Sequence, residues 1–253
     1  MGEEILVMKD TLVQNCQNLI EAFKTGKLGQ TKMPEDSNPG FDDNQMETRL
    51  AYFTLPMALN YQRDSYKLWE NTLKTWEDAE TRKVFDVKLV SKMSDEELRG
   101  LLMKYKVALQ PNKHIATWKN ISKTIFENWG SVSAFIQASD SNFLTLKEFV
   151  QVTHKKGFPY LSGPKIFNYW SFILGEYGKI KFMNKEYIDI APDTHITQCS
   201  VVLGVITKEE SELMSKDSIS ERWRILLKDS DITPIEMHPP LWFWSRNGFI
   251  YKL

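Results

Sequence analysis

The feature that most constrains this chain is the spacing of its apolar residues. They recur near every 3.6 positions along most of its length, and no segment shows the two-residue alternation of a convincing β-hairpin. Ile5, Leu6, Leu12, Val13, Cys16, Leu19, Ile20 and Phe23 fall on one face of an opening helix that ends near Gly26. The polar, Gly- and Pro-rich stretch KTGKLGQTKMPEDSNPGFDDN then reads as a long loop or a lid. Helical spacing resumes from about Met46 to Gln62 and from about Ser65 to Val84, the second with Asp64 or Ser65 as N-cap. Ser94-Asp-Glu-Glu is a capping-box signature for a helix reaching about Tyr105. Further helices are expected from about Lys113 to Trp129, from Val132 and from Leu146. The turn FPYLSGP leads into the apolar run IFNYWSFIL, with Pro164 suited to a first helical turn. After the interruption GKIKFMNKEYIDIAP, Asp193 stands where an N-cap belongs, ahead of ITQCSVVLGVI, and Ser218 to Leu227 and Pro240 to Tyr251 close the chain. With no internal repeats, the expected class is all-α.

Composition narrows the function classes. At 253 residues and 42% hydrophobic, the chain has material for one large domain or two small ones sharing a cleft. Its 32 Lys+Arg and 33 Asp+Glu nearly cancel, so any nucleic-acid-binding face has to be local. Two cysteines, Cys16 and Cys199, are too few for a disulfide framework, a four-cysteine zinc site or an iron–sulfur cluster, and the four His are scattered without metal-ligand spacing. No metal and no cofactor is expected. The N-terminus MGEEILVMKD starts acidic, Leu6 stands where a myristoylation signal needs Ser or Thr, and no run approaches 18 apolar residues. The reading is a soluble protein of the cytoplasm, nucleoid-associated in a prokaryote or nuclear in a eukaryote, with no membrane partner.

The segments FPYLSGPKIF and APDTHITQCSVVLGVI carry most of the functional information. Together they resemble the signature of the helix-hairpin-helix (HhH-GPD) DNA glycosylase superfamily, in which a Leu-Pro-Gly-Val-Gly-x-Lys hairpin precedes a Val-Asp-Thr-His segment. Phe158-Pro159 stands for the leading Leu-Pro, Gly163 for the second hairpin glycine, Lys165 for the lysine, and Asp193-Thr194-His195 for Asp-Thr-His. LPMALNYQRDS resembles the family's glutamine element, placing Gln62, with Asn60 beside it, where the family contacts the duplex at the extruded base. PNKHIATWKNISKTI resembles the helix that follows, so the match runs from about Met46 to Ile206 in family order. The departures are Tyr160 at the first hairpin glycine, an added Ser162, Ile166-Phe167 for Thr-Ala, and a longer stretch before Asp193, the last read as a loop insertion of small entropic cost.

The resemblance implies a lysine nucleophile and an assisting aspartate, and physical chemistry supplies reasons for both. Attack on C1′ of a deoxyribose needs a neutral amine, whereas an unperturbed lysine at about 10.4 is protonated at pH 7. Partial burial among Phe167, Tyr169 and Trp170, with the positive end of the helix opening at Pro164, is expected to lower the Lys165 value. The amine would then displace the base and form a Schiff base. Asp193, ionised at a helix N-cap, would stabilise oxocarbenium charge or help activate the lysine. Lys156 is the second candidate nucleophile. Gly163 lets the hairpin backbone approach a phosphate, Pro164 offers no N–H, and Lys155, Lys156, Lys179, Lys181 and Lys185 supply local positive charge.

The expected architecture is two-lobed around a central cleft. One lobe, 46–176, carries the helix-hairpin-helix. The other joins 1–45 to 177–253, and Lys165 and Asp193 face each other across the cleft. The absent cysteine cluster sets the chain apart from endonuclease-III-like and adenine glycosylases. DITPIEMHPPLWFW is similar to the closing helix of archaeal 8-oxoguanine glycosylases, with His238 where they carry Asp and Trp242 retained. His238, Trp242 and Trp69 are therefore the base-pocket candidates. The expected function is a monomeric DNA glycosylase and abasic-site lyase that excises a damaged base, foremost an oxidised purine such as 8-oxoguanine, from double-stranded DNA in base-excision repair. The alternative is a non-catalytic duplex-binding helix-hairpin-helix protein.

Overall fold

A computed structural model describes the backbone of residues 2–253 and the side chains of residues 9–253. Ile5 and Leu6 of the expected opening face lie outside the described side chains. The fold is all-α: no strand occurs among the described residues, where the one β feature is an isolated bridge between Asn142 and Met183. No described helix is long and apolar enough to cross a membrane. The chain divides into two compact units, one comprising Met33–Asn184 and the other Met1–Lys32 with Lys185–Leu253.

In the first of these units helix α2 (Met46–Leu59) is the reference element. From Arg49 to Leu59 every side chain is buried, as expected of a helix apolar on all sides. It ends at Leu59, short of Gln62, because Asn60 leaves the helical region at φ −80° and ψ 65°, and Gln62 then takes a left-handed backbone, φ 49°. Asp64 caps α3 (Ser65–Glu77) through Lys67 N, as expected. That helix stops well before Val84, because the Thr81 hydroxyl turns back onto Thr75 O and the chain re-forms as a 3-10 turn, Arg82–Phe85. Asp86 then caps α4 (Val87–Lys92), a helix the apolar spacing alone does not reveal. Ser94 caps α5 (Asp95–Lys104) through Glu97 N, but the capping box is only half formed, since the Glu97 carboxylate is drawn to Lys83 at 2.9 Å.

Helix α6 (Lys113–Trp129) packs on α2, α4 and α5, and Trp118 Nε1 donates to Val84 O at 2.9 Å. The N-terminus of α7 (Val132–Ala138) is capped twice, by Ser131 and by the Glu47 carboxylate, which accepts from Val132 N and Ser133 N. Helix α8 (Phe143–Glu148) runs into a π-helical turn, Phe149–Thr153. Helix α9 (Pro164–Glu176) lies on α2, pinned by Trp170 Nε1 to Thr54 Oγ1 at 3.1 Å.

This unit reaches beyond the 46–176 drawn from apolar spacing. The stretch from Met33 is packed down rather than left as an open lid. Met33, Pro34 and Glu35 are buried, Ser37 O accepts from Tyr52 Oη, Asp36 accepts from Tyr177 Oη, and Asp43 pairs with Lys179 at 2.8 Å. On the far side, Met183 O accepts from Phe143 N and Met183 N donates to Ser141 O.

In the other unit α1 (Gly2–Lys24), α10 (Thr194–Val202), α11 (Lys208–Leu213), α12 (Lys216–Leu227) and α13 (His238–Arg246) surround a smaller core. Helix α13 receives both α1 and α10: Phe23 stacks on Phe243 at 5.8 Å, and Cys199 Sγ donates to Leu241 O. Trp223 Nε1 donates to Ser200 Oγ, joining α12 to α10.

The Trp170–Thr54 bond gives a direct test of how α9 is seated. Trp170→Phe removes the indole donor and part of the buried volume, so unfolding in urea should show a loss of about 1–3 kcal/mol with an unchanged slope. A variant of wild-type stability would mean that α9 is held by other contacts.

Candidate functional site

The hairpin before α9 is fixed by its own backbone and by two buried anchors, Phe158 and Leu161. Ser162 N donates to Phe158 O and Gly163 N to Tyr160 O, each at 2.9 Å. Tyr160 has φ 63°, the left-handed region that glycine enters without a Cβ penalty. Gly163 has ordinary extended angles, and its constraint is space: a Cβ there would lie 3.2 Å from Tyr160 O. Pro164 takes the first turn of α9, as expected.

Lys165 follows on that turn and is exposed, with neither a hydrogen bond nor an ion pair among the described residues. The expected partial burial among Phe167, Tyr169 and Trp170 is not found. Phe167 and Trp170 point into the core, because residues two and five positions on lie off the face of Lys165. The residues that share its face are Asn168 and Tyr169, at i+3 and i+4.

From that face Tyr169 reaches a buried acid that sequence reasoning missed. Tyr169 hydrogen-bonds Glu35, whose side chain is 1% exposed and whose Oε2 has no partner. Burial pushes the Glu35 carboxyl up to about 7, against the lowering effect of its backbone and Tyr169 hydrogen bonds. Burial, and then the nearby Glu35 charge, raise the Tyr169 phenol well above its ordinary value. Asn168 Oδ1 is also buried without a partner. Helix α3 packs on the Pro34–Asp36 turn and carries Trp69, fully buried with an unpartnered Nε1. Trp69 is therefore no stacking platform. Its rings are held in the core against Tyr52 and Phe53, and only the indole N–H remains to offer. Each buried polar group without a partner costs about 1–3 kcal/mol of stability.

The Gln62 loop is joined to the hairpin. Asn60 and Ser65 side chains bond to each other at 3.3 Å, and the Arg63 guanidinium holds Lys106 O and Val107 O. Gln62 itself is exposed. Tyr61, one residue earlier, lies with its ring 5.2 Å from that of Tyr160, and the Lys113 ammonium sits 5.3 and 4.8 Å from the two centroids. Lys156 is exposed, without an anionic partner among the described residues.

Lys165, Lys156, Gly163, Gln62, Asn60 and Trp69 thus all belong to one unit, and Asp193, His238 and Trp242 to the other. Asp193 is the N-cap of α10, with Oδ1 accepting from Ile196 N at 3.0 Å. Around it, His195 Nδ1 lies 3.0 Å from Ser245 Oγ, which donates to Gln198 Oε1, and the His195 ring meets the edge of Trp242 at 5.7 Å. Trp242 is half-buried, with the Arg246 guanidinium 4.6 Å over its ring. His238, the first residue of α13, is buried. Among the described residues no His, Cys, Asp and Glu side chains are grouped to hold a metal ion. No protein-family model matches the chain, and no curated protein matches it.

Two outcomes follow. Asp193→Ala, lacking the cap, should lose about 1 kcal/mol of stability in denaturant unfolding, whereas Asp193→Asn, which retains an acceptor, should stay close to wild type. Equal losses would remove the capping role. For Glu35, the raised value means that the folded chain binds more protons than the unfolded one between about pH 4.5 and 7, so stability falls as pH rises through that window. Glu35→Gln, neutral throughout, should gain on wild type by about 3 kcal/mol across the window and level off above it. Parallel stability curves would contradict this.

Proposed function

We propose that this chain is a DNA glycosylase with abasic-lyase activity, built on the two-lobed helix-hairpin-helix architecture, that excises an oxidised purine such as 8-oxoguanine in base-excision repair. The observation that carries the reading is the hairpin. A left-handed residue stands where the signature places glycine, proline opens the following helix, an unpaired lysine sits on its first turn, and the Gln62 loop is tied to the same hairpin.

On this reading the Lys165 amine, once deprotonated, attacks C1′, and the glycosidic electrons leave with the base, which takes up a proton. The nitrogen lone pair then expels O4′ from C1′, O4′ takes up a proton and the opened sugar is held as a Schiff base; this acidifies C2′, and loss of that proton expels the 3′ phosphate, nicking the strand. Asp193 stabilises positive charge developing on the sugar. Trp242, half-buried at the edge of its unit, stacks on the flipped base. Gln62 and Asn60 contact the duplex where the base has left, and Gly163 and Lys156 contact the backbone.

The second reading, a duplex-binding protein without chemistry, is favoured by Tyr160 in place of the hairpin glycine and by the exposure of Lys165. Borohydride trapping on duplexes carrying 8-oxoguanine, uracil, hypoxanthine or alkylated adenine separates the two. Wild type is expected to be trapped on the oxidised purine. Lys165→Gln should lower nicking about a thousandfold or more while retaining duplex binding. Loss of trapping in Lys156→Gln instead would move the nucleophile to Lys156, and wild type that traps no lesion would remove the lyase assignment.

A further inference from the structure

We propose that the groove between α6 and the turn Lys155–Gly157 is a docking channel for the sugar–phosphate backbone of duplex DNA, distinct from the hairpin. The proposal rests on the DNA reading above and extends it along the strand. The groove has a volume of about 720 Å³. One wall is α6, through Asn120, Thr124 and Asn128, and the other is the end of the π-helical turn with the 3-10 turn after it, through Thr153, Lys155 and Lys156.

The walls are built to stay in place. Asn120 Nδ2 donates to Lys156 O at 2.8 Å, clamping the turn to α6. Gly157 lets the two backbones approach, since a Cβ there would lie 2.5 Å from Thr124 Cγ2 and Oγ1. The His154 ring rests on Trp129 at 4.9 Å, and Trp129 in turn packs on Phe135 at 4.5 Å. The π-helical turn that follows α8 leaves Val152 64% exposed at the groove, an apolar surface that suits a deoxyribose.

Charge selects the ligand. Lys83, Lys104, Lys119, Lys123 and Lys179 of the same unit are each held by a carboxylate. Lys155 and Lys156 are exposed and have no carboxylate partner among the described residues, while Glu127, the groove's acid, is 3.7 Å from Lys123. Ammonium groups act as point charges toward phosphate, whereas planar carboxylates are matched best by the arginine fork, and the groove contains no arginine. Gly157 also leads directly into Phe158 and the hairpin, so a strand lying on the hairpin would continue over the groove.

The test is the salt dependence of duplex binding, followed by fluorescence anisotropy for wild type, Lys155→Gln/Lys156→Gln and Lys74→Gln/Lys88→Gln, the last pair lying outside the groove. Releasing two phosphate contacts should reduce the slope of log K against log salt by about 1.8 in the groove variant and leave the other pair close to wild type. Equal slopes for all three proteins, or equal losses in both variants, would overturn the proposal. Wild type that binds duplex but processes no lesion would overturn the glycosylase reading and leave the groove in place, whereas wild type that binds no duplex would overturn both.

Discussion

The seating of α9 on α2 is the constraint on which the candidate site in the larger unit depends. Helix α2 is buried on all sides, so it offers no freedom of position, and α9 is keyed to it by Phe167, Trp170, Ile173 and Leu174 and by the Trp170–Thr54 bond. Once those residues are committed to the core, helical geometry assigns Lys165, Asn168 and Tyr169 to a different face. The exposure of Lys165 and the Tyr169–Glu35 bond are thus consequences of one packing decision. The hairpin follows from it too, because Phe158 and Leu161 fill the same core and hold the turn just ahead of Pro164.

That packing leaves polar groups buried and unmatched. A stability-driven core would replace Glu35 by an apolar residue, or give its second oxygen a donor, since an unpaired buried acid is among the costlier features a core can carry. Here the acid is retained beside Tyr169, on a turn against the helix of an indole N–H that also lacks an acceptor. Such groups weaken the folded state.

Much of the helical framework was legible in the sequence, because apolar periodicity and N-caps are local. Asp64, Ser94 and Asp193 cap as their neighbours imply, and Pro164 opens its helix. The breaks were less legible, since they depend on tertiary competition. Glu97 leaves its box for Lys83, and Thr81 turns back to Thr75 in the middle of a helical pattern. The site divides in the same way. The hairpin and the Asp193 segment are marked by residue order. Glu35 sits in a stretch whose Gly and Pro content suggests an open loop, and nothing local signals that Tyr52, Tyr177 and Lys179 bind that stretch down. The full burial of Trp69 is equally unmarked in the sequence: an aromatic on an amphipathic helix carries no local sign of whether its face or its edge is available.

Tyr160 shows how a departure from a pattern can serve the same end. A left-handed backbone at a non-glycine residue costs about 1–2 kcal/mol, so a tyrosine in that position needs compensation. Its ring supplies it, meeting Tyr61 at 5.2 Å with the Lys113 ammonium over both. The ring acts as a strut that fixes the hairpin to the loop carrying Gln62. On the DNA reading proposed above, a chain of net charge −1 has little diffuse attraction to its partner. Affinity on that reading has to come from contacts arranged before binding, which leaves little ordering cost, and a hairpin tied to its neighbouring loop through Tyr160 and Tyr61 is such an arrangement.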